Sequence, residues 1–85
     1  MIEPYHRRAS KLTRTSRLLT EAREALGLSQ IDIVELTRRS RRSVIMIENG
    51  QLGIPGEEVL AFSRAYKVDP VTLLRALERD RKPRP

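Results

Sequence analysis

Apolar residues return at helical intervals along most of the chain. Leu18, Leu19, Ala22, Ala25 and Leu26 open the series, and the spacing of Leu18, Ala22, Ala25 and Leu26 places them on one helix face. Thr15 or Ser16 is positioned to N-cap this helix, and Gly27 to end it as a C′ glycine. Ser29 caps a second helix, with Asp32 three residues on in the place of the capping-box acid. Ile31, Ile33, Val34 and Leu36 carry that helix to Thr37. Beyond the polar turn Arg38-Arg39-Ser40, Ser40 caps a third helix over Arg41 to Asn49, with Val44 and Ile47 inward and Gly50 as its stop. A loop from Gln51 to Gly56 leads to a fourth helix over Glu57 to Tyr66. Glu57 and Glu58 stand at its positive end, and Val59, Phe62, Ala65 and Tyr66 form its inward set. Asp69 and Pro70 supply the N-cap and first residue of a fifth helix. Val71, Leu74 and Leu77 mark one face of it, and Leu73 widens that face. No segment alternates as a strand does.

The pattern predicts an all-α fold, a single small domain of five helices over residues 15–79. Residues 1–14 read as a basic N-terminal arm, free to be mobile, and residues 80–85 as a basic tail. In that tail Lys82-Pro83-Arg84-Pro85 cannot continue a helix.

Composition narrows the function. With 85 residues, 39% of them apolar, the chain has material for one core. It has no cysteine and one histidine, His6, which excludes disulfide scaffolds, thiolate metal sites and cysteine nucleophiles. No Ser-His-acid set beyond His6, no glycine-rich phosphate loop and no metal-ligand spacing is present. The chain therefore reads as a non-enzyme with no catalytic residues, no metal and no cofactor. No apolar run approaches the ~20 residues that span a bilayer. No apolar stretch follows Met1-Ile2-Glu3-Pro4-Tyr5-His6-Arg7-Arg8 as an export signal requires, so a cytoplasmic, nucleoid-associated protein is expected.

The net charge of +6 is unevenly placed. Arg7, Arg8, Lys11, Arg14 and Arg17 crowd the first 17 residues, and Arg79, Arg81, Lys82 and Arg84 crowd the last seven. Arg38, Arg39, Arg41 and Arg42 form a knot inside the chain. Two basic ends and one structured basic patch around a near-neutral body suit a polyanion. The alternative is that these arginines solvate a small helical domain.

The segments Leu26-Gly27-Leu28-Ser29-Gln30, Ser40-Arg41-Arg42-Ser43-Val44 and Ile47-Glu48-Asn49-Gly50 resemble the Cro and phage-repressor helix-turn-helix family. Residues 29–50 fit that motif without a gap, and Phe62, Ala65, Tyr66, Val68 and Leu73-Leu74 resemble the family's later helices. The resemblance implies a lambda-repressor-like domain that regulates transcription by binding double-stranded DNA in sequence-specific fashion. Arg41, Arg42 and Met46 match base-reading positions. Gln30, Ser43 and Asn49 match backbone-contacting ones, with Arg38 and Arg39 beside them. Arg7, Arg8, Lys11 and Arg14 would supply contacts from the arm. Arginine at the tip of a groove-bound helix can bond guanine O6 and N7 together, and methionine can touch a thymine methyl. Glu48 reads better as internal support than as a DNA contact. The resemblance also implies a homodimer on a palindromic operator, half-sites about one helical turn apart, with Leu73, Leu74 and Leu77 of the fifth helix as the dimer surface. Phage repressors, restriction-modification controllers and antitoxin-like autoregulators are similar to it in size.

Several positions depart from the family. Arg38 stands where a glycine is usual, Arg39 where an aliphatic residue is, and Thr37 where a core leucine is. A non-glycine residue in a left-handed turn costs about 1 kcal/mol, so the turn is either strained or reshaped. Ile31, Leu36, Ile45 and Met46 are apolar where family members are more often polar. Three explanations stand open: cover by Ile2, Tyr5 or Leu12 folding back, cover by another subunit or protein, or a changed register of the two motif helices. The second functional reading follows from this surplus: a protein-interaction module on the same fold, binding a partner through Ile31, Leu36 and Ile45. RNA association is a third reading, but Tyr5, Phe62 and Tyr66 are the only aromatics for stacking.

Overall fold

Thr13 caps the first helix. In the computed structural model, which describes residues 12–81, α1 spans Arg14–Ala25, α2 Gln30–Thr37, α3 Arg41–Glu48, α4 Val59–Tyr66 and α5 Pro70–Arg81. A single 3₁₀ turn, Gly56–Glu58, precedes α4, so the helix expected from Glu57 becomes α-helical only at Val59.

The N-cap of α1 is Thr13, not Thr15 or Ser16. Its hydroxyl accepts from the Ser16 N–H at 3.0 Å, and the Ser16 hydroxyl accepts from the Thr13 N–H at 2.8 Å. Ser16 thus takes the part usually played by glutamate in a capping box, and both Thr15 and Ser16 are buried inside the first turn. The Asp80 carboxylate of α5 accepts from the N–H groups of Arg14 at 3.0 Å and Thr15 at 3.1 Å. The helical body accordingly runs through Asp80, which the sequence reading assigns to the tail.

Local chemistry sets the other ends. Gly27 adopts φ +72°, letting its N–H reach Glu24 O while the Leu28 N–H reaches Arg23 O. This pair of bonds closes a Schellman motif. Gly50, at φ +78°, does the same for α3 through Gly50 N–H to Ile47 O and Gln51 N–H to Met46 O. Ser29 and Asp32 form the expected capping box on α2, at 2.8 and 3.2 Å. Ser40 caps α3 through the Ser43 N–H at 3.0 Å, and Asp69 caps α5 through the Thr72 N–H at 3.0 Å.

The core unites Leu19, Ile33, Val44, Ile47, Val59, Phe62, Ala65, Tyr66 and Leu73 with Ile54 from the loop. Phe62 and Tyr66, one turn apart on α4, stack with ring centroids 6.0 Å apart. Helix α1 packs on α5 and α3, α2 packs on α3 and α4, and α4 packs on α5. Two inward faces differ from expectation by one position. Leu19 rather than Leu18 is the fully buried residue of α1, and Leu26 is exposed. On α5 the buried residue is Leu73, Leu77 is partly covered, and Val71 and Leu74 face outward.

Candidate nucleic-acid interface

Val44, Ile47 and Glu48 are the buried residues of α3. At about 100° per residue, Arg42, Met46 and Asn49 lie on its opposite side. Arg42 and Asn49 are exposed, Met46 and Ile45 are half-buried, and Arg41 projects from the first position. The first turn of α3 contains no acidic residue. Two guanidinium groups there oppose the positive end of the helix dipole. An anion bound at that end removes the conflict. The Ser40 hydroxyl also donates to Ser43 Oγ at 3.0 Å, holding both serines at the same turn.

The connection between α2 and α3 is strained but not shifted. Arg38 takes φ +61°, ψ +22°, the left-handed conformation that favours glycine. Its N–H donates to Val34 O at 2.8 Å. Its side chain is exposed at the negative end of α2, where a cation is stabilised. The Thr37 hydroxyl donates to Ile33 O at 2.8 Å and accepts from the Arg39 N–H at 3.3 Å. A polar residue in the leucine position thereby ties the turn down. Helix α2 ends at Thr37 and α3 starts at Arg41, so a changed register is not the reason for the surplus apolar residues. The Arg39 guanidinium turns to Glu58 at 3.2 Å, and its Nε is buried without a partner. Arg39 is committed to the domain rather than presented beside Arg38.

Glu48 organises the interior behind α3. It is 4% exposed. Its Oε1 accepts from Gln30 Nε2 at 3.0 Å, Arg23 Nε at 3.1 Å and the Thr20 hydroxyl at 3.3 Å. Its Oε2 accepts from Arg23 Nε at 2.9 Å and the Tyr66 hydroxyl at 2.6 Å. Residues of α1, α2 and α4 thus converge on one carboxylate of α3. Burial pushes its pKa up, but the hydrogen bonds from Arg23, Tyr66 and Gln30 outweigh this and hold it below the usual carboxylate range. The hydrogen bond to Glu48 raises the Arg23 pKa further, and burial drives that of Tyr66 well above its ordinary value. With its lone pairs occupied, Glu48 is internal support, as its position suggests.

Gln30, half-buried at the first position of α2, is therefore joined to α3 from within. Arg14 is exposed at the start of α1, while Arg7, Arg8 and Lys11 lie outside the described residues. Ile31 and Leu36 are 45% and 58% exposed. Leu12 is itself exposed, and Ile2 and Tyr5 lie outside the described residues. Sequence reasoning missed Thr20, Arg23 and Tyr66 as partners of Glu48, and Asp80 as a cap. No local signal announces them, because the partners stand 18 to 66 residues apart. Among the described residues no helix is long and apolar enough to cross a membrane, and no group of three or more His, Asp or Glu could hold a metal ion.

Residues 14–77 match the family model described as a helix-turn-helix domain. The crystal structure of the restriction-modification controller protein C.AhdI from Aeromonas hydrophila is similar in fold, with a TM-score of 0.66 and 30% sequence identity. The likeness covers 75% of this chain and 97% of that one. No curated protein matches the chain.

Proposed function

Because the chain belongs to the helix-turn-helix domain family and is a DNA-binding regulator, we propose that it reads a palindromic operator as a homodimer, with α3 in the major groove. The observation that carries this reading is the first turn of α3, where Arg41 and Arg42 stand exposed on a helix that carries no acid there. Arg41, Arg42 and Met46 take the role of base readers. Gln30, Ser43, Asn49 and Arg38 take that of backbone contacts, and Arg39 acts by bracing the turn through Glu58. Arg7, Arg8, Lys11 and Arg14 add salt-dependent affinity. The similarity to a restriction-modification controller supports a regulator of this class. A non-enzymatic role in the cytoplasm, on the nucleoid, goes with the same reading.

Leu73 is unavailable as a dimer surface because it is fully buried. The face that remains is a groove lined by Leu52, Ile54, Val59, Leu74 and Leu77, with exposed Val71 on the same helix. A second copy seated there would cover the exposed Leu52, Val71 and Leu74 over a floor of Ile54 and Val59, and would set two α3 helices on one side of the DNA.

Selection from a random duplex pool at about 150 mM salt tests the reading. A palindromic consensus bound at least ~100-fold tighter than scrambled DNA is expected. Only weak, steeply salt-dependent binding without a consensus would overturn it.

The exposure of Ile31 and Leu36 favours a second reading, a protein partner held by α2. Five positions apart, the two side chains diverge by about 140° around the helix, so one flat partner cannot cover both. Loss of duplex binding in Arg41→Ala with none in Leu36→Ser supports the first reading, and the reverse pattern the second.

A further inference from the structure

We propose that Glu48 is a positioning residue for DNA-backbone binding, and that it acts by fixing which end of the Gln30 amide faces the DNA. The inference rests on the DNA-binding reading above and deepens it.

An ionised carboxylate offers acceptors only. Facing Glu48 Oε1 at 3.0 Å, Gln30 must present its NH₂. The opposite sense would set two acceptor oxygens against each other. Nor can the carboxylate swing away. Arg23 Nε bridges both of its oxygens, Thr20 adds a bond on Oε1, and Tyr66 adds one on Oε2. Arg23 is in turn anchored by a bond from its Nη1 to Leu28 O at 3.0 Å. The second proton of Gln30 Nε2 is left as the donor that an acceptor outside the protein can use. Gln30 opens α2 from its positive end, where a phosphate oxygen is favoured. A side chain with three rotatable torsions is held ready before DNA arrives, so the ordering cost falls on folding rather than on binding.

Gln30 is neutral, so the contact adds affinity without releasing an extra counterion. Backbone contacts are independent of sequence, and a duplex of about 20 base pairs and mixed sequence at low salt therefore serves as the probe. With the full chain, Gln30→Met is expected to weaken binding about 5- to 10-fold with an unchanged salt slope. In Glu48→Gln the new side chain can donate as well as accept, so the Gln30 amide loses its fixed sense and binding weakens to a similar degree. The combined variant should be no weaker than either single one. Leu19→Val, which loosens the core and removes no donor from the carboxylate, should bind as the parent does.

Additive losses in the combined variant would reduce Glu48 to a structural support and overturn the proposal. An equal loss in Leu19→Val would do the same. If Glu48→Gln does not fold, the Gln30 amide protons in the parent protein decide by NMR. One proton protected from exchange and one free is expected, whereas rapid averaging of the two overturns the inference. A parent chain that binds no duplex at all overturns the DNA reading together with this one.

Discussion

Arg38 occupies a conformation in which a Cβ crowds the neighbouring carbonyl, and its exposed side chain gains nothing from packing. Replacing it with glycine should raise the unfolding free energy by about 0.5–1 kcal/mol in urea melts, even though glycine widens the unfolded ensemble. The same variant should weaken duplex binding and lower the salt slope by about one. The two outcomes together would show that Arg38 serves DNA binding through its charge at the expense of stability. At Glu48 the balance runs the other way. Removing it in Glu48→Ala strands Arg23 and the Tyr66 hydroxyl, a loss of about 3–5 kcal/mol. Its native pKa is lowered, so the stability it contributes is complete above the ordinary carboxylate range. That stability is lost as pH falls through the lowered native value. Urea midpoints should therefore drop on acidification from about pH 6 to about pH 3, less steeply in Glu48→Gln than in the parent chain. Glu48 was legible as internal support from its place in Ile47-Glu48-Asn49-Gly50. Its partners were not, because hydrogen bonding across 18 to 28 residues leaves no trace in local spacing.

Helix ends were legible where a single residue offered the stop or cap. Ser29 with Asp32, Ser40, Gly27 and Gly50 all perform the roles that their spacing predicts. The start of α1 was misplaced although its box is local: Thr13, Thr15 and Ser16 offer three hydroxyl caps in four residues, and Ser16 stands where the box's acid is usual. The Asp80 carboxylate that also accepts from the Arg14 and Thr15 N–H groups left no local trace, coming 66 and 65 residues later. Asp80→Ala should cost about 1 kcal/mol and speed hydrogen exchange at the Arg14 and Thr15 amides, while exchange in α3 stays as it was. The inward face of α5 was misjudged for a related reason. Val71, Leu73, Leu74 and Leu77 offer two overlapping stripes, and which one is buried depends on how α5 crosses α1 and α4. The same uncertainty displaced Leu18 by Leu19. In α4, where Val59, Phe62, Ala65 and Tyr66 admit one stripe only, the expected face is the observed one.

For the whole molecule, the groove beside α5 is the surface that the proposed dimer would use. Leu74 is 49% exposed, so Leu74→Lys should change stability by less than about 0.5 kcal/mol. It should give a monomer in sedimentation equilibrium and bind a palindromic site less tightly. Added positive charge cannot itself weaken DNA binding, which makes lysine more telling here than glutamate. The clasp between Asp80 and the first turn of α1 has a further consequence, for the order of assembly. Its two sides are 66 residues apart, and closing such a span costs about 4 kcal/mol of chain entropy. Contacts between α2 and α3 bridge far shorter spans and can form early. On that ground the union of α1 with α5 is expected to come late, and during synthesis it must wait until α5 is made. A nascent chain can therefore build the turn between α2 and α3 before the opening turn of α1 receives its second set of acceptors.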